Sequence, residues 1–583
     1  MFCWEGRGEK EFIRYLYCCL KWAYKQLLYI LLLYRYNYGC MMANKKLFGW
    51  CGIMRIRPYT VDLLVLVLLF LLVAFYAIFF VDFHVHPIED AAMLMRYSQH
   101  FADGHGIVWN IGEAPVDGAT DFLFMITIGV LVKVGLSLEF ATRFLGFAAH
   151  FLTIGVIFLS LRRTFNVPIL VACGSALFLV AGPGFFYVVS YFGTTVFALF
   201  ACISWWVALN IVQYGENQKK SLLFAFASLV TGLIRPEGVL LTGLMLLVLL
   251  FIKGWKNTRI TFLSYTAFFL VFGGAYFLWR WNYFGYPLPN PFYIKGGGVL
   301  HYESLVASYA HTFFLNIWLL PAFVAGIFSQ QTRRKAIGFL ILIFGFATFF
   351  ILLANNMNVL GRFQYVTLPL TLMVFWPLTQ GLRNWLKIHD LAIKTTQRRF
   401  FYSLLVIIFF VSIAKLEHDI YNIRYHYDGK YYVAAMLSKY KDSGYRLATS
   451  EAGLLPLYSQ WKSLDTWGLN NQWIAHHGRI TDEYLEKFNP HIIMFYAHFS
   501  PVASSGIKDN WQDMIMVLKN YAEKHGYILA AAYSETPYAA EYYYVRPDFP
   551  ESEEIIRYIR EMDYPSYISG VDQTNYANEL ETP

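Results

Sequence analysis

Residues 61–90 read VDLLVLVLLFLLVAFYAIFFVDFHVHPIED. All of residues 61–81 except Asp62 are apolar or aromatic, and a helix needs about 20 such residues to cross a bilayer. The next nine positions hold Asp82, His84, His86, Glu89 and Asp90. A spanning helix thus opens abruptly into a carboxylate-bearing segment.

The same alternation of apolar run and polar break recurs along the chain. Eleven candidate spans are read at 61–80, 139–161, 168–189, 193–213, 220–234, 236–252, 260–280, 309–328, 336–354, 364–381 and 400–415. The pair 220–234 and 236–252 is short and separated only by Arg235, so it reads as two spans or as one broken unit. Composition agrees. The 583 residues are 57% hydrophobic, 19% aromatic and 15% charged, with mean hydropathy +0.42. Soluble domains carry about 25% charged residues. These values exclude a soluble enzyme, a disordered chain, a coiled coil and a disulfide-rich secreted module. The expected fold is an α-helical polytopic membrane protein of about 11 transmembrane helices with a C-terminal soluble α/β domain.

Charge is unevenly distributed. Residues 1–415 carry a balance of +17 and residues 416–583 a balance of −9. The positive charges lie between apolar segments, so they set topology and do not suggest a nucleic-acid partner. With Arg55 and Arg57 in the cytoplasm, every inner loop that follows is basic. These loops hold Arg162 and Arg163; Lys219 and Lys220; Lys253, Lys256 and Arg259; Arg333, Arg334 and Lys335; and Arg383 to Arg399. That order sends the long loop 81–138, the shorter loops 281–308 and 355–363, and the tail 416–583 to the outer side.

The first 54 residues form a cytosolic extension with one apolar stretch, Leu27–Leu33, too short to span. It reads as an amphipathic anchor, a re-entrant piece or an upstream start, with Met42 or Met54 as the favoured true start. The seven cysteines end at Cys202 and include no CxxC pair, which supports neither a zinc ribbon nor a redox motif. The tail alternates β-like runs (Tyr445–Thr449, His491–Tyr496, Tyr527–Ala532, Glu541–Val545) with amphipathic stretches near 510–524 and 551–562. This is the pattern of a small α/β domain.

The chemistry concentrates at the outer ends of the spans. Glu89 and Asp90 are adjacent carboxylates just beyond the first span. Partly desolvated carboxylates act as bases, although Pro87 followed by two acids also makes a good helix N-terminus. His84 and His86 share a face if the segment is extended, and with Glu89 or Asp90 they form a candidate site for a divalent metal such as Mg or Mn; interfacial histidines are the alternative. Arg96 can approach the same helix face and hold a carboxylate.

The stretch EDAAMLMRYSQHFADGHGIVWNIGEAPVDGATDFLF at 89–124 resembles the first outer loop of GT-C-fold glycosyltransferases, in particular the mycobacterial terminal arabinofuranosyltransferases and their bacterial relatives. Four further segments match that family in order: Leu233–Gly238 (LIRPEG), Tyr286–Lys295 (YPLPNPFYIK), Gly361–Phe363 with Leu368–Pro369, and Asp465–Asn471 (DTWGLNN). Three departures are visible: Glu89 in place of an aspartate, Gly193-Thr194-Thr195 where the family has an acid, and Asn355-Asn356 before Gly361.

The resemblance implies an enzyme. It would be a multi-pass inner-membrane glycosyltransferase that moves a sugar from a polyprenyl-phosphate donor to a hydroxyl of a glycan, lipid or protein acceptor in the periplasm, with inversion. Residues 55–415 would form the catalytic domain, and 416–583 a periplasmic domain that recognises the acceptor or covers the site. Glu89 and Asp90 would be the base. Arg235, Lys295 and Arg362 would bind the lipid phosphate, and Arg96, Tyr97, Trp109, Glu237, Asn290 and Tyr293 would line the substrate. Snorkelling to headgroups is the alternative for the cations, ion pairing with Arg235 that for Glu237, and a belt role that for the aromatics. His476 and His477 read as surface residues. A transporter or flippase for a lipid-linked sugar is the rival function. It predicts inverted repeats and charges at mid-membrane, neither of which the sequence displays.

Overall fold

The computed structural model describes residues 58–80, 84–180, 183–296, 298–353, 358–380, 428–565 and 573–580. The expected N-terminal extension, the span at 400–415 and the basic loop at 383–399 lie outside the described residues. The chain divides into two compact units, Met1–Val61 and Asp62–Pro583. Of the first unit, only the opening residues of helix α1 are described.

Helix α1 runs Pro58–Phe80, with proline at its first position, where its missing N–H costs nothing. It is apolar on all sides, and Leu63, Leu71 and Ile78 are exposed. A helix apolar all round belongs in a large core or a membrane, and its exposed leucines and isoleucine favour the membrane. A carboxylate-rich loop follows, with α2 at Glu89–Ala102 and α3 at Phe122–Lys133. The helical body continues with α4 (Leu138–Thr164), α5 (Ile169–Leu177), α6 (Pro183–Val189), α7 (Thr194–Tyr214), α8 (Gln218–Ile234) and α9 (Glu237–Lys253). Then come α10 (Arg259–Phe284, with a π-turn at Phe269–Gly273), α11 (Asn290–Gly296), α12 (Tyr302–Asn316), α13 (Leu320–Phe328), α14 (Arg333–Leu352) and α15 (Thr367–Leu372). Helix α4 packs on α7, α7 on α8, α8 on α10, and α9 on α14.

Among the described residues, five helices are long and apolar enough to cross a membrane: Tyr59–Phe79, α4, α7, α10 and α14. The pair α12 and α13, bent by 87°, makes a sixth if it counts as one span. This is a multi-pass membrane protein, but the expected count of eleven is not confirmed. Among the described residues 168–189 divides into α5 and α6, 309–328 bends at Ile317–Leu319, and α8 and α9 reach 17 residues each, while 400–415 lies outside them.

The C-terminal part is an α/β fold, as its alternating runs predict. Its helices are α16 (Gly429–Leu437), α17 (Leu454–Ser459), α18 (Gln472–His477), α19 (Asp482–Phe488), α20 (Asn510–Lys524) and α21 (Ser552–Glu561). Its strands are β1 (Arg446–Thr449), β2 (Lys462–Asp465), β3 (Ile492–Ala497), β4 (Ile528–Thr536), β5 (Ala539–Val545) and β6 (Thr574–Asn575), in the order β2-β1-β3-β5-β4-β6. β1 pairs parallel with both β2 and β3, and the remaining pairs are antiparallel. Side chains alternate faces along a strand. Ile493, Phe495 and Ala497 therefore join Leu518 of α20 in one core, while Ile492 and Met494 join Leu437 of α16 and Ile559 of α21 in the other. The polar strand β2 (KSLD) and the two-residue β6 escaped the sequence pattern.

One consequence positions the site. β1 lies between β2 and β3, so the chain leaves it in one direction and the sheet continues in the other. Open α/β sheets bind ligands at the carboxyl ends of strands at such a switch point. Here those ends carry Ser450–Gly453 and Thr466–Asn470, and α17, which follows β1, packs on α2.

Candidate functional site

Helix α2 begins at Glu89, with no side-chain cap at Ile88 and two carboxylates in its first turn. Successive residues of an α-helix project about 100° apart. Glu89 and Asp90 therefore face different partners.

Asp90 turns to a group of cations. Its carboxylate pairs with Arg362. The Arg362 guanidinium lies 4.1 Å over Phe192 and 5.0 Å over Phe363. Arg235 lies 5.2 Å from the same Phe363 ring. Arg235 precedes a proline, which forces extended backbone and breaks the chain between α8 and α9. Its side chain reaches Glu237 at 3.1 Å and Asp121 at 3.9 Å. Lys295, from α11, completes the group. Among the described residues no hydrogen bond or ion pair reaches its ammonium. Burial pushes the Asp90 carboxyl up, but Arg362, Lys295 and Arg235 outweigh it and hold it below its ordinary range. Burial lowers the Lys295 ammonium, and the field of Asp90 only partly opposes this. An under-compensated cation beside two buried arginines is suited to an anion, and an arginine fork meets a phosphate in particular.

Glu89 turns to the C-terminal domain. One carboxylate oxygen accepts the Leu454 N–H at 3.0 Å; the other lies 3.9 Å from Lys430 Nζ and has no hydrogen bond among the described residues. Gly453 lies against it so closely that a Cβ there would collide with the Glu89 carboxylate and carbonyl. Lys430 also meets Glu541 at 2.7 Å and Asp428 at 3.3 Å. Tyr564 donates to Glu541 at 2.6 Å. With Glu451, four carboxylates surround one ammonium. Burial drives the Glu89 acid well above its ordinary range, and Lys430 only partly offsets it. Burial, opposed by Lys430 and reinforced by Glu541, Asp428 and Asp90, pushes Glu451 up to about 7.

The loop of residues 81–138 and the C-terminal domain are joined by a polar seam. Arg96, 3% exposed, donates to the carbonyls of Trp109 (2.9 Å), Trp461 (3.0 Å) and Pro456. The expectation that it holds a carboxylate is corrected: its partners are these three carbonyls, of which only that of Pro456 belongs to α17, and Asn110 Oδ1 at 3.2 Å. Trp109, 2% exposed, donates to Ser463 O at 2.9 Å, and the Arg96 guanidinium lies 4.8 Å over its ring. The Tyr97 hydroxyl donates to Asn470 Oδ1 at 3.0 Å. Asp465 accepts the N–H groups of Trp467, Gly468 and Asn470, which closes the DTWGLNN turn. Gly118 fits because a Cβ would meet Asn470 and Tyr97.

The remaining sequence candidates disperse. Glu237 is the ion-pair partner of Arg235. Asn290 is 2% exposed, its N–H donates to Asp117 O at 3.0 Å, and its side-chain nitrogen has no partner among the described residues. Tyr293 lies 4.4 Å from His476, whose ring stacks on Tyr286 at 3.7 Å. His476 is therefore no ordinary surface residue, because α18 packs on α11. His86 stacks on Tyr431 at 3.3 Å, and burial, with Arg143, lowers its pKa to about 4. His84 is exposed. Among the described residues, no three His, Cys, Asp or Glu side chains gather as a metal ion would require. Sequence reasoning missed Lys430, Asp428 and Glu541 altogether. They carry no motif, and only the sheet brings them to Glu89.

A family model described as a domain of unknown function (DUF8728) matches residues 419–547, within the C-terminal part. No curated protein matches the chain. Among solved structures, ArnT from Cupriavidus metallidurans in the apo state is similar, at 16% identity over 84% of this chain and 98% of that chain, with TM-score 0.51. The same protein bound to undecaprenyl phosphate aligns at 13% identity over 82% and 97%, with TM-score 0.48. The Archaeoglobus fulgidus oligosaccharyltransferase complexed with Zn and sulfate aligns at 12% over 82% and 72%, with TM-score 0.40. The similarity to apo ArnT is one of fold, of GT-C type. The finer likeness to arabinofuranosyltransferases is not confirmed by these structures.

Proposed function

We propose that this protein is a membrane glycosyltransferase. It moves a sugar from a polyprenyl-phosphate donor to a hydroxyl of a glycan, lipid or protein acceptor, with inversion, on the outer side of the inner membrane, and its C-terminal domain lies in the periplasm. The observation that carries the reading is the convergence of Arg235, Lys295 and Arg362, from three distant segments, on the carboxylate of Asp90 beside the apolar spans. A lipid phosphate would find there both its counter-charge and its membrane.

Such a donor needs cations where charge develops on the leaving phosphate. Lys295 is free to meet that phosphate, and Arg362 can share it with Asp90. Three side-chain cations supply this charge, so the proposal gives His84 and His86 no role. Asp90 orients Arg362, and Glu89 fixes the C-terminal domain over the site through Leu454. Tyr97 and Arg96 hold the seam, while Asn290 and Tyr293 remain the substrate-facing candidates on α11. The order of the family-like segments supports the same reading, as does the GT-C-type fold.

The test is transfer from radiolabelled undecaprenyl-phosphate sugars in membranes, comparing wild type with Asp90→Asn and Glu89→Gln. Asp90→Asn frees Arg362 and is expected to reduce transfer about a hundredfold, the scale of a misplaced charge. Glu89→Gln keeps an acceptor for the Leu454 N–H and is expected to lose less. No transfer by wild type from any donor, or undiminished transfer by Asp90→Asn, contradicts the proposal.

A further inference from the structure

The proposed transfer releases one proton from the acceptor hydroxyl, and a positioned base takes it. The two carboxylates of α2 are already committed. Asp90 is paired with Arg362, and its surrounding cations make it a weak base. Glu89 is 8% exposed and tied to Leu454, and burial favours its protonated form.

A third carboxylate stands beside them. Glu451 lies at the carboxyl end of β1, in the loop that opens at the switch point of the sheet. Its backbone is pinned on both sides by Thr449, whose hydroxyl accepts the Glu451 N–H at 3.0 Å and donates to the Glu451 carbonyl at 2.9 Å. Two residues on, Gly453 lies against Glu89. The Glu451 carboxylate itself has no hydrogen bond or ion pair among the described residues. Beside it, a buried oxygen of Glu89 also lacks a hydrogen bond. The backbone is fixed, the acid is unengaged, and the neighbouring polar atom is unsatisfied. These are the marks of a group that awaits a ligand hydroxyl.

We propose that Glu451, supplied by the C-terminal domain, is the general base of the transfer, while Asp90 and Glu89 are positioning residues. The inference rests on the glycosyltransferase reading above. The acceptor O–H bond breaks and its proton passes to the Glu451 carboxylate. The acceptor oxygen forms a bond to the anomeric carbon, and the bond from that carbon to the phosphate oxygen breaks with its electron pair. Polyprenyl phosphate leaves, and the proton passes from Glu451 to water. The groups that set the charge of Glu451 are Lys430, Glu541, Asp428, Asp90 and Glu89. Together with burial they bring its pKa to about 7, near the working range of a general base. A catalytic acid–base residue on the C-terminal domain makes the docking of that domain a condition for turnover.

The experiment uses the full chain in lipid nanodiscs with the undecaprenyl-phosphate sugar that wild type accepts. Glu451→Gln is expected to lower kcat about 100-fold or more, with the donor KM within about threefold of wild type. It is also expected to abolish the rise of rate with pH through about 7 that the deprotonated base imposes. Glu451→Asp is expected to restore part of kcat and the pH limb. Undecaprenyl phosphate binding, measured in parallel, is expected to be unchanged and separates chemistry from folding. A Glu451→Gln chain that binds undecaprenyl phosphate and retains the wild-type kcat or pH limb overturns this inference and leaves the glycosyltransferase reading standing. A chain that loses binding as well assigns Glu451 a structural role and overturns the inference too. A wild-type chain that transfers from no donor overturns both.

Discussion

Two groups of buried charge meet at the first turn of α2, and the same burial has different outcomes for the two acids there. Around Asp90, three cations (Arg235, Lys295 and Arg362) face three carboxylates (Asp90, Asp121 and Glu237). Around Glu89, four carboxylates share the single ammonium of Lys430. At Asp90 attraction outweighs desolvation, so it stays ionised. In the second group, one cation cannot compensate four acids, so Glu89 and Glu451 hold their protons to higher pH. Burial alone does not set the protonation of a site; the local balance of charge does. Adjacent residues of one helix thereby acquire different chemistry.

Removing the one cation of the acidic group sharpens the contrast most. Lys430→Met is expected to destabilise the chain by about 3–5 kcal/mol, the usual effect of deleting one partner of a buried ionic network. The loss is expected to grow as pH rises, because the uncompensated acids must then ionise. Thermal unfolding in detergent across pH 5–8 measures it. A flat response would mean that water already reaches these carboxylates.

A smaller effect of opposite sign is expected at Glu451. Its folded-state pKa is raised from 4.5 to about 7, so the folded chain holds a proton that the unfolded chain releases. By linkage, stability falls as pH rises from about 4.5 and the penalty is complete above about 7. Glu451→Gln is therefore expected to be more stable than wild type at pH 8, by about 1–3 kcal/mol, and about equal to it at pH 4.5. A variant that is less stable at both values would break the comparison.

Much of this was legible in the sequence, and the limits are physical. Apolar runs fixed the membrane class and found α1, α4, α7, α10 and α14. They gave eleven candidate spans, a count the described helices do not confirm, since hydropathy does not register a break such as that between α5 and α6. Period-two and period-3.6 patterns gave four of the six strands and both long helices of the C-terminal domain, but not β2, where three of four residues are polar and Ser463 and Asp465 are buried only by their neighbours. Local motifs named Asp90, Arg235, Lys295 and Arg362, since each sits at a break that a span requires. They could not name Lys430, Asp428 or Glu541, which the sheet assembles from residues more than a hundred positions apart. Glu451 stood out only as part of the Glu451-Ala-Gly453 segment near the start of the C-terminal domain, with no role assigned to it.

Lys295 offers the most direct test of the central claim, that the cationic group is a lipid-phosphate site. Its ammonium makes no hydrogen bond or ion pair among the described residues, and burial offsets its attraction to Asp90, so Lys295→Ala is expected to leave stability within about 0.5 kcal/mol of wild type. Binding of undecaprenyl phosphate to the purified chain in nanodiscs, titrated for wild type and Lys295→Ala, is expected to weaken about tenfold, the scale of one charge-assisted hydrogen bond. Equal binding by the two chains, or no saturable binding by either, would contradict the account.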